Sequence, residues 1–222
     1  MNEALENLLQ SPRLWRGQAQ GNAWQGLPTG YPRLDEHLPG GGWPRRSLTE
    51  ILLTHYGSGE LKLLMPALAM LSRPRPAQDT ADGAEAGWLA WVAPPFQPYP
   101  PALLQWGIDL ARVLIVRPRA QRDALWAAEQ ALTSGNCAAV LLWSDAQDLT
   151  ASRRLQLAAE QGGSWAIAFR PVQARGEPSA AALRLELKTG ARGTDIHILK
   201  NRGGRPAAVH GVIHDYASLP GN

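Results

Sequence analysis

Short apolar runs alternate regularly with helix-like segments from residue 47 to residue 170, and this alternation limits the possible folds more than any other feature. The apolar runs cover residues 47–53, 87–93, 113–116, 138–143 and 165–170. Helical spacing of apolar residues occupies 61–71, 101–106, 120–134 and 151–161. Parallel strands require crossover connections of this length, and strands covered on both faces have continuous apolar runs. The sequence therefore predicts an α/β domain with a mostly parallel sheet.

The pattern changes after Pro178 to a period of two residues. Leu183, Leu185 and Leu187 alternate with charged residues, and further apolar runs follow at 196–199 and 207–213 after a turn at 189–193. Alternation of this kind is typical of strands with two different faces. We expect antiparallel strands at the C-terminal edge of the sheet.

The chain divides into two parts by composition. Residues 1–25 contain a short amphipathic helix followed by a polar linker, and residues 26–222 form the predicted α/β domain. Within that domain, residues 72–87 are rich in Pro, Ala, Asp and Gly, which predicts an exposed loop.

Composition excludes several classes of protein. The longest stretch without charge, between Gly87 and Asp109, is interrupted by prolines and glutamines, so no membrane span is expected. The N-terminus begins with acidic residues instead of a basic and then apolar signal segment, which predicts a cytoplasmic location. One cysteine, Cys137, and five scattered histidines do not supply a metal-ligand pattern. The net charge of +3 permits contact with nucleic acid without requiring it.

An ordered set of motifs between residues 27 and 51 resembles the entrance to a RecA-type ATPase core. Its parts are Thr29-Gly30, Leu34-Asp35, the glycines at 40–42 and a strand that ends in Glu50-Ile51. The resemblance continues loosely through 106–118, 121–142 and the turn at 200–205. It implies a RecA-like core in which a phosphate loop follows the first strand.

The loop at that position lacks the residues that hold a phosphate. A working loop has Gly-x-x-x-x-Gly-Lys-Ser/Thr, in which the lysine neutralises the phosphates and the hydroxyl binds magnesium. Here the loop contains Gly57, Ser58 and Gly59, with Glu60 in the lysine position and Leu61 in the hydroxyl position. Lys62 comes two residues late, about 200° around the following helix. The sequence predicts a degenerate phosphate loop and no bound nucleotide or other cofactor.

Two further positions of the family pattern are also changed. The position of the general base is occupied by Pro95, and the strand that normally ends in a magnesium-binding acid ends in Trp143. Proline cannot orient a water molecule, and an indole cannot bind magnesium. With all three positions lost, we expect a pseudo-ATPase without catalytic residues, and therefore a protein that is not an enzyme.

Among RecA-like proteins without nucleotide chemistry, the chain resembles the ImuA family, which is related to the SulA cell-division inhibitors. The residues that carry this resemblance are Leu27-Pro28-Thr29-Gly30, the segment 38–44, the loop at 57–59 and the segment 199–204. The resemblance implies a non-catalytic adaptor of damage-induced (SOS) translesion DNA synthesis, a DNA repair function. Its implied partners are an ImuB-type homologue of Y-family polymerases and an error-prone replicative-type polymerase, with RecA and DNA as further candidates.

Two groups of residues are candidate contacts with DNA or protein. Lys200, Asn201, Arg202 and Arg205 form a cationic turn suited to phosphate, although a solvated hairpin explains them equally well. Several tryptophans lie outside the predicted strands and are candidates for partner contact, namely Trp15, Trp24 and Trp43. Those in or beside strands are expected in the core, namely Trp88, Trp91, Trp143 and Trp165.

Two other functions remain open at this point. The relation to SulA suggests an inhibitor of cell division. An active RecA-like ATPase would require another residue, such as Lys62 or Asp145, to replace the missing groups.

Overall fold

The computed structural model describes residues 26–73, 87–145, 148–191 and 193–213. Within these ranges the strands are β1 Leu48–Leu53, β2 Trp88–Val92, β3 Val113–Val116, β4 Cys137–Trp143, β5 Trp165–Pro171, β6 Leu183–Gly190, β7 Gly193–Asn201 and β8 Ala207–Ile213. The α-helices are α1 Pro32–Asp35, α2 Glu60–Ser72, α3 Pro100–Gln105, α4 Gln121–Thr133 and α5 Leu149–Gly162. These bounds agree closely with the alternation of strands and helices that the sequence predicts.

All of the named strands belong to one sheet, in the order β3-β2-β4-β5-β1-β6-β7-β8. All pairings among β1 to β6 are parallel. On its other side β6 pairs antiparallel with β7, and β7 pairs antiparallel with β8. The predicted α/β class, with a mostly parallel sheet and antiparallel C-terminal strands, is confirmed. The carboxyl ends of the parallel strands therefore meet at one edge, where α/β proteins commonly bind ligands.

Successive residues of each strand face opposite sides of the sheet and build two cores. In β1, Ile51 and Leu53 face α2 and the segment that precedes β1, while Leu48 faces α4 and α5. Coverage of both faces explains the continuous apolar runs of the sequence.

Trp43 lies in the core and does not reach the surface. Its side chain is 0% exposed and stacks on Trp165 with ring centroids 5.3 Å apart. Its backbone pairs with Leu27 in both directions, at 2.7 and 3.0 Å. The prediction that Trp43 contacts a partner is therefore wrong, because the segment before β1 folds back over the sheet. The expectation that Trp88 is a core residue is also wrong, since Trp88 is 40% exposed.

A buried ion network joins β1, β5 and β6 on the face that carries α4 and α5. Oε2 of Glu50 lies 2.8 Å from Nε of Arg184 and 3.6 Å from a guanidinium nitrogen of Arg170. Arg170 also contacts Glu177 at 2.6 Å, and Ser179 donates a hydrogen bond to Oε1 of Glu50 at 2.6 Å. Burial of opposite charges in contact avoids the large cost of an isolated buried ion.

The helix and linker predicted for residues 1–25 lie outside the described residues, as does most of the loop predicted at 72–87. Ser72 is the last residue of α2 and is fully buried, so that loop begins after it. In the described part of the chain, no helix is long and apolar enough to cross a membrane.

Candidate functional site

The degenerate loop connects β1 to α2 at the carboxyl edge of the sheet. Gly57 and Gly59 have φ angles of 85° and 100°, a region that side chains disfavour and glycine adopts readily. Gly59 caps the N-terminus of α2, and α2 begins at Glu60. The chain thus forms a strand, a glycine loop and a helix in succession, the arrangement that the predicted degenerate phosphate loop requires.

The Glu60 carboxylate bonds to the backbone of its own loop. Its Oε1 accepts a hydrogen bond from the Gly57 N–H at 2.8 Å, and the residue is only 4% exposed. Acidic groups are favoured in the first turn of a helix, where backbone N–H groups carry partial positive charge. The carboxylate therefore accepts the hydrogen bond of a backbone N–H group, and such N–H groups bind the phosphate in a working loop. Glu60 opposes an incoming phosphate both by its charge and by using this donor.

A cavity of about 400 Å³ lies beside this loop. It brings together Glu60, Pro95 and Trp143, the three residues that stand where the lysine, the general base and the metal-binding acid are expected. The residues lining the cavity come from the loop, α2, the ends of β2 and β4, the segment after β2, and α3 with the residue that follows it. They are predominantly aromatic, aliphatic or proline residues, including Trp91, Phe96, Tyr99 and Trp106.

Aromatic packing fixes Trp143 in this wall. Its ring lies 5.7 Å from Trp91 and stacks on Phe169 at 4.6 Å, measured between centroids. Stacked neighbours of this kind hold the ring in one orientation. Phe96 and Tyr99 are instead 68% and 69% exposed, so the cavity continues into an apolar surface.

Tyr56 joins the degenerate loop to the end of β4. Its hydroxyl donates a hydrogen bond to Oδ1 of Asp145 at 3.0 Å. Burial, followed by the hydrogen bond to Asp145, raises the pKa of Tyr56 to about 12. Asp145 is therefore close to the loop, as an alternative acidic residue would have to be.

Lys62 also lines the cavity, although its position on α2 is about 200° from that of Glu60. Lys62 thus lies near the site, while its position two residues after Glu60 differs from that of the lysine in a phosphate loop.

The cationic turn lies at the opposite edge of the sheet. Asn201 ends β7 beside the amino end of β6, because β6 and β7 are antiparallel. Lys200 donates to the Ser179 carbonyl at 2.9 Å, and Asn201 donates to the His37 carbonyl at the same distance. Burial of the Lys200 ammonium lowers its pKa, and the charges of Arg202 and Arg184 lower it further.

The two arginines of this turn are exposed and differ in their contacts. Arg202 approaches Oε1 of Glu160 at 3.5 Å, a loose ion pair in which both side chains remain about half exposed. Arg205 is exposed, and it has no hydrogen bond or ion pair within the described ranges. Trp15 and Trp24, the other candidate contacts, lie outside the described residues.

A second cavity, of about 540 Å³, adjoins this turn. Its lining includes Asn201, Arg202 and Glu160. Arg45 and Arg46, which lie shortly before β1, also line it. The structure thus places two more arginines next to the predicted cationic turn.

Comparisons with known proteins agree with the family resemblance. No protein-family model matches the chain. Over 141 residues, 64% of its length, the chain is 35% identical to protein ImuA of Caulobacter vibrioides. Over 105 residues, 47% of its length, it is 32% identical to the cell division inhibitor SulA of Photorhabdus laumondii and covers 59% of that protein. The chain is related to ImuA and SulA.

The ImuA/SulA-related chain spans about half the length of the curated ImuA relatives it matches, 55% of each. Among solved structures it matches SulA from Pseudomonas aeruginosa at 26% identity and a TM-score of 0.43. That match covers 55% of this chain and 97% of the other.

Sequence reasoning missed two features of this ImuA/SulA-related protein. The aromatic wall was not foreseen, although Phe96 and Tyr99 stand among prolines directly after β2, where residues at a carboxyl edge are expected. Arg45 and Arg46 were not joined to the cationic turn. Antiparallel pairing places the end of β7 beside the start of β6. The parallel pairing of β1 with β6, which brings Arg45 and Arg46 to the same place, has no local signal in the sequence.

Proposed function

We propose that the protein is a non-catalytic adaptor of damage-induced translesion DNA synthesis, built on a RecA-like core whose nucleotide site is degenerate. Its partners in this proposal are an ImuB-type homologue of Y-family polymerases and an error-prone replicative-type polymerase, with RecA and DNA as further contacts. The 35% identity to ImuA supports this role. The central position of β1, followed by a glycine loop and α2, supports the RecA-like core.

The observation that carries the proposal is the contact between Glu60 and Gly57. The Glu60 carboxylate is hydrogen-bonded to the backbone of the loop and places a negative charge where a nucleotide would have its phosphates. Pro95 and Trp143 supply neither a base nor a metal ligand in the adjoining cavity. These features favour binding of other proteins over ATP hydrolysis.

Titration of the full chain with a fluorescent ATP analogue, with and without magnesium, tests the degenerate site. We expect no saturable binding in either condition. The double variant Glu60→Lys/Leu61→Thr restores the two missing loop residues and is the matched comparison. Nucleotide binding by this variant alone would identify Glu60 and Leu61 as the residues that exclude the nucleotide. Saturable, magnesium-dependent binding by the unmodified chain would contradict the proposal.

Co-expression with the ImuB-type protein tests the adaptor role directly. We expect the two chains to elute together in size-exclusion chromatography at a mass above that of either chain alone. Separate elution at micromolar concentration of both chains would contradict direct contact with this partner.

The identity to SulA supports a second candidate function, inhibition of cell division. Overproduction of the chain in undamaged cells distinguishes the two functions. Filamentous cells would support division inhibition, whereas normal division combined with loss of damage-induced mutagenesis on deletion would support the adaptor.

An active ATPase is the least supported alternative. It would use Asp145, which the hydrogen bond with Tyr56 holds near the loop, and Lys62, which lines the cavity. Magnesium-dependent ATP turnover that is lost in Asp145→Asn would establish it.

A further inference from the structure

We propose that the aromatic cavity beside the degenerate loop is a receptor for an arginine side chain presented on an apolar peptide segment of a partner protein. The inference rests on the proposed adaptor function and specifies the chemistry of the contact. The receptor consists of the Glu60 carboxylate and the aromatic residues that surround it.

One oxygen of Glu60 is available for a cationic donor. Oε1 accepts from the Gly57 N–H, whereas Oε2 is buried and has no hydrogen-bond partner among the described residues. Buried carboxylate oxygens are normally hydrogen-bonded, and leaving one unsatisfied is costly. A guanidinium supplies several N–H donors together with the compensating charge.

The aromatic lining suits the same ligand. Trp91, Trp106 and Trp143 line the cavity, and Phe96 and Tyr99 extend it toward solvent. Cations are attracted to the faces of aromatic rings, and arginine makes such contacts more often than lysine. An aromatic wall with a carboxylate therefore favours an organic cation over an anion such as a nucleotide phosphate.

Two observations favour a peptide over a small free cation. The indole Nε1 of Trp91 is buried and has no acceptor among the described residues, and a peptide carbonyl would satisfy it. Leu104 on α3 is 58% exposed. Like Phe96 and Tyr99, it is a large apolar side chain that is open to solvent. Apolar residues that flank the arginine would pack on this surface.

The charges that line the cavity set the expected specificity. Of the lining residues, Glu60 is the acid and Lys62 the base. Lys62→Gln removes the positive charge of this lining, so it should not weaken binding of the arginine peptide.

Isothermal titration of the full chain with a blocked seven-residue peptide, one arginine among leucines and prolines, tests the proposal. The matched peptide carries citrulline, which has nearly the shape of arginine and no charge. We expect saturable binding of the arginine peptide and at least tenfold weaker binding of the citrulline peptide. Glu60→Gln should weaken binding of the arginine peptide about tenfold, whereas Glu36→Gln, which removes an exposed acid elsewhere, should not change it.

A second pair of variants tests the aromatic wall at exposed positions, away from the buried residues of the loop. Phe96→Ala removes an exposed ring from the cavity and should weaken binding at least fivefold. Trp126→Ala removes a ring that is 61% exposed and lies outside the cavity lining, and it should have no effect. Equal binding of the two peptides would overturn the proposal. So would unchanged affinity for the arginine peptide in Glu60→Gln together with unchanged affinity in Phe96→Ala.

The nucleotide titration separates this inference from the proposed function. Binding of neither ATP nor the arginine peptide would overturn the arginine receptor and leave the adaptor function standing. Magnesium-dependent binding of the ATP analogue to the unmodified chain would overturn both.

Discussion

The hydroxyl of Tyr56 donates a hydrogen bond to Asp145 and so links the loop after β1 to the segment after β4. Strand β5 lies between β1 and β4 in the sheet, so these two residues are joined above it. The contact holds the loop between β1 and α2 close to the end of β4.

The pH dependence of Tyr56 follows from this contact. Its pKa is raised from 10.0 to about 12 because burial and Asp145 disfavour the phenolate. The folded state therefore holds this proton more tightly than the unfolded state, and the resulting stabilisation is complete below pH 10 and lost as the pH rises through about 12. The absorbance difference at about 295 nm between the unmodified chain and Tyr56→Phe, followed against pH, should have its midpoint near 12. A midpoint near 10 would contradict the contact.

Removal of Arg184 should be strongly destabilising. Arg184→Met leaves Glu50 without its 2.8 Å ion pair and removes the hydrogen bonds from the guanidinium to the carbonyls of Ala174 and Glu177. We expect the free energy of unfolding to fall by about 3 to 5 kcal/mol, measured by urea denaturation.

The matched double variant Glu50→Leu/Arg184→Met should be less destabilised than Arg184→Met alone, because it leaves no uncompensated carboxylate. Arg170 would keep its contact with Glu177. A double variant less stable than the single one would show that the charge of Glu50 is not what makes the loss of Arg184 costly.

Trp43 should matter for stability because it is fully buried against Trp165. Trp43→Ala should lower the free energy of unfolding by about 3 to 5 kcal/mol in urea denaturation. Trp126→Ala, at an exposed tryptophan, should change it by less than about 0.5 kcal/mol. Equal effects of the two substitutions would contradict the buried position of Trp43.

The cationic turn can be tested through the salt dependence of DNA binding. If Lys200, Arg202 and Arg205 contact phosphates, their replacement by Ala should reduce the slope of log affinity against log salt by about 2 to 3 for duplex DNA. The control replaces three exposed arginines elsewhere with Ala, namely Arg119, Arg122 and Arg153, and removes the same charge. An unchanged affinity and slope in the first variant would exclude DNA contact by this turn.

The sheet was predictable because its signals are local. The apolar runs of β1 to β5 and the alternation of Leu183, Leu185 and Leu187 each lie within one strand, and turn residues separate them. The loop between β1 and α2 could also be predicted, since its glycines stand between an apolar run and a helix-like segment. Its assignment as a degenerate phosphate loop stays a prediction.

The parts that could not be predicted depend on residues far apart in the chain. Trp43 lies in an irregular segment, and it is a core residue because that segment pairs with Leu27 and packs the ring on Trp165. Phe96 and Trp143 come together because β2 and β4 are adjacent in the sheet, although about 50 residues separate them in sequence. Local periodicity carries no information on either contact.

The separation of the two cavities has a consequence for the proposed adaptor function. The aromatic cavity is at the carboxyl edge of the sheet and the arginine-lined cavity at the amino edge, so the length of a strand, about 20 Å, lies between them. Molecules bound at the two cavities would not overlap, and the sheet would act as a rigid spacer. Two partners, one bound at each edge, would then be held at a high local concentration relative to each other. This would happen without any change in the affinity of either cavity.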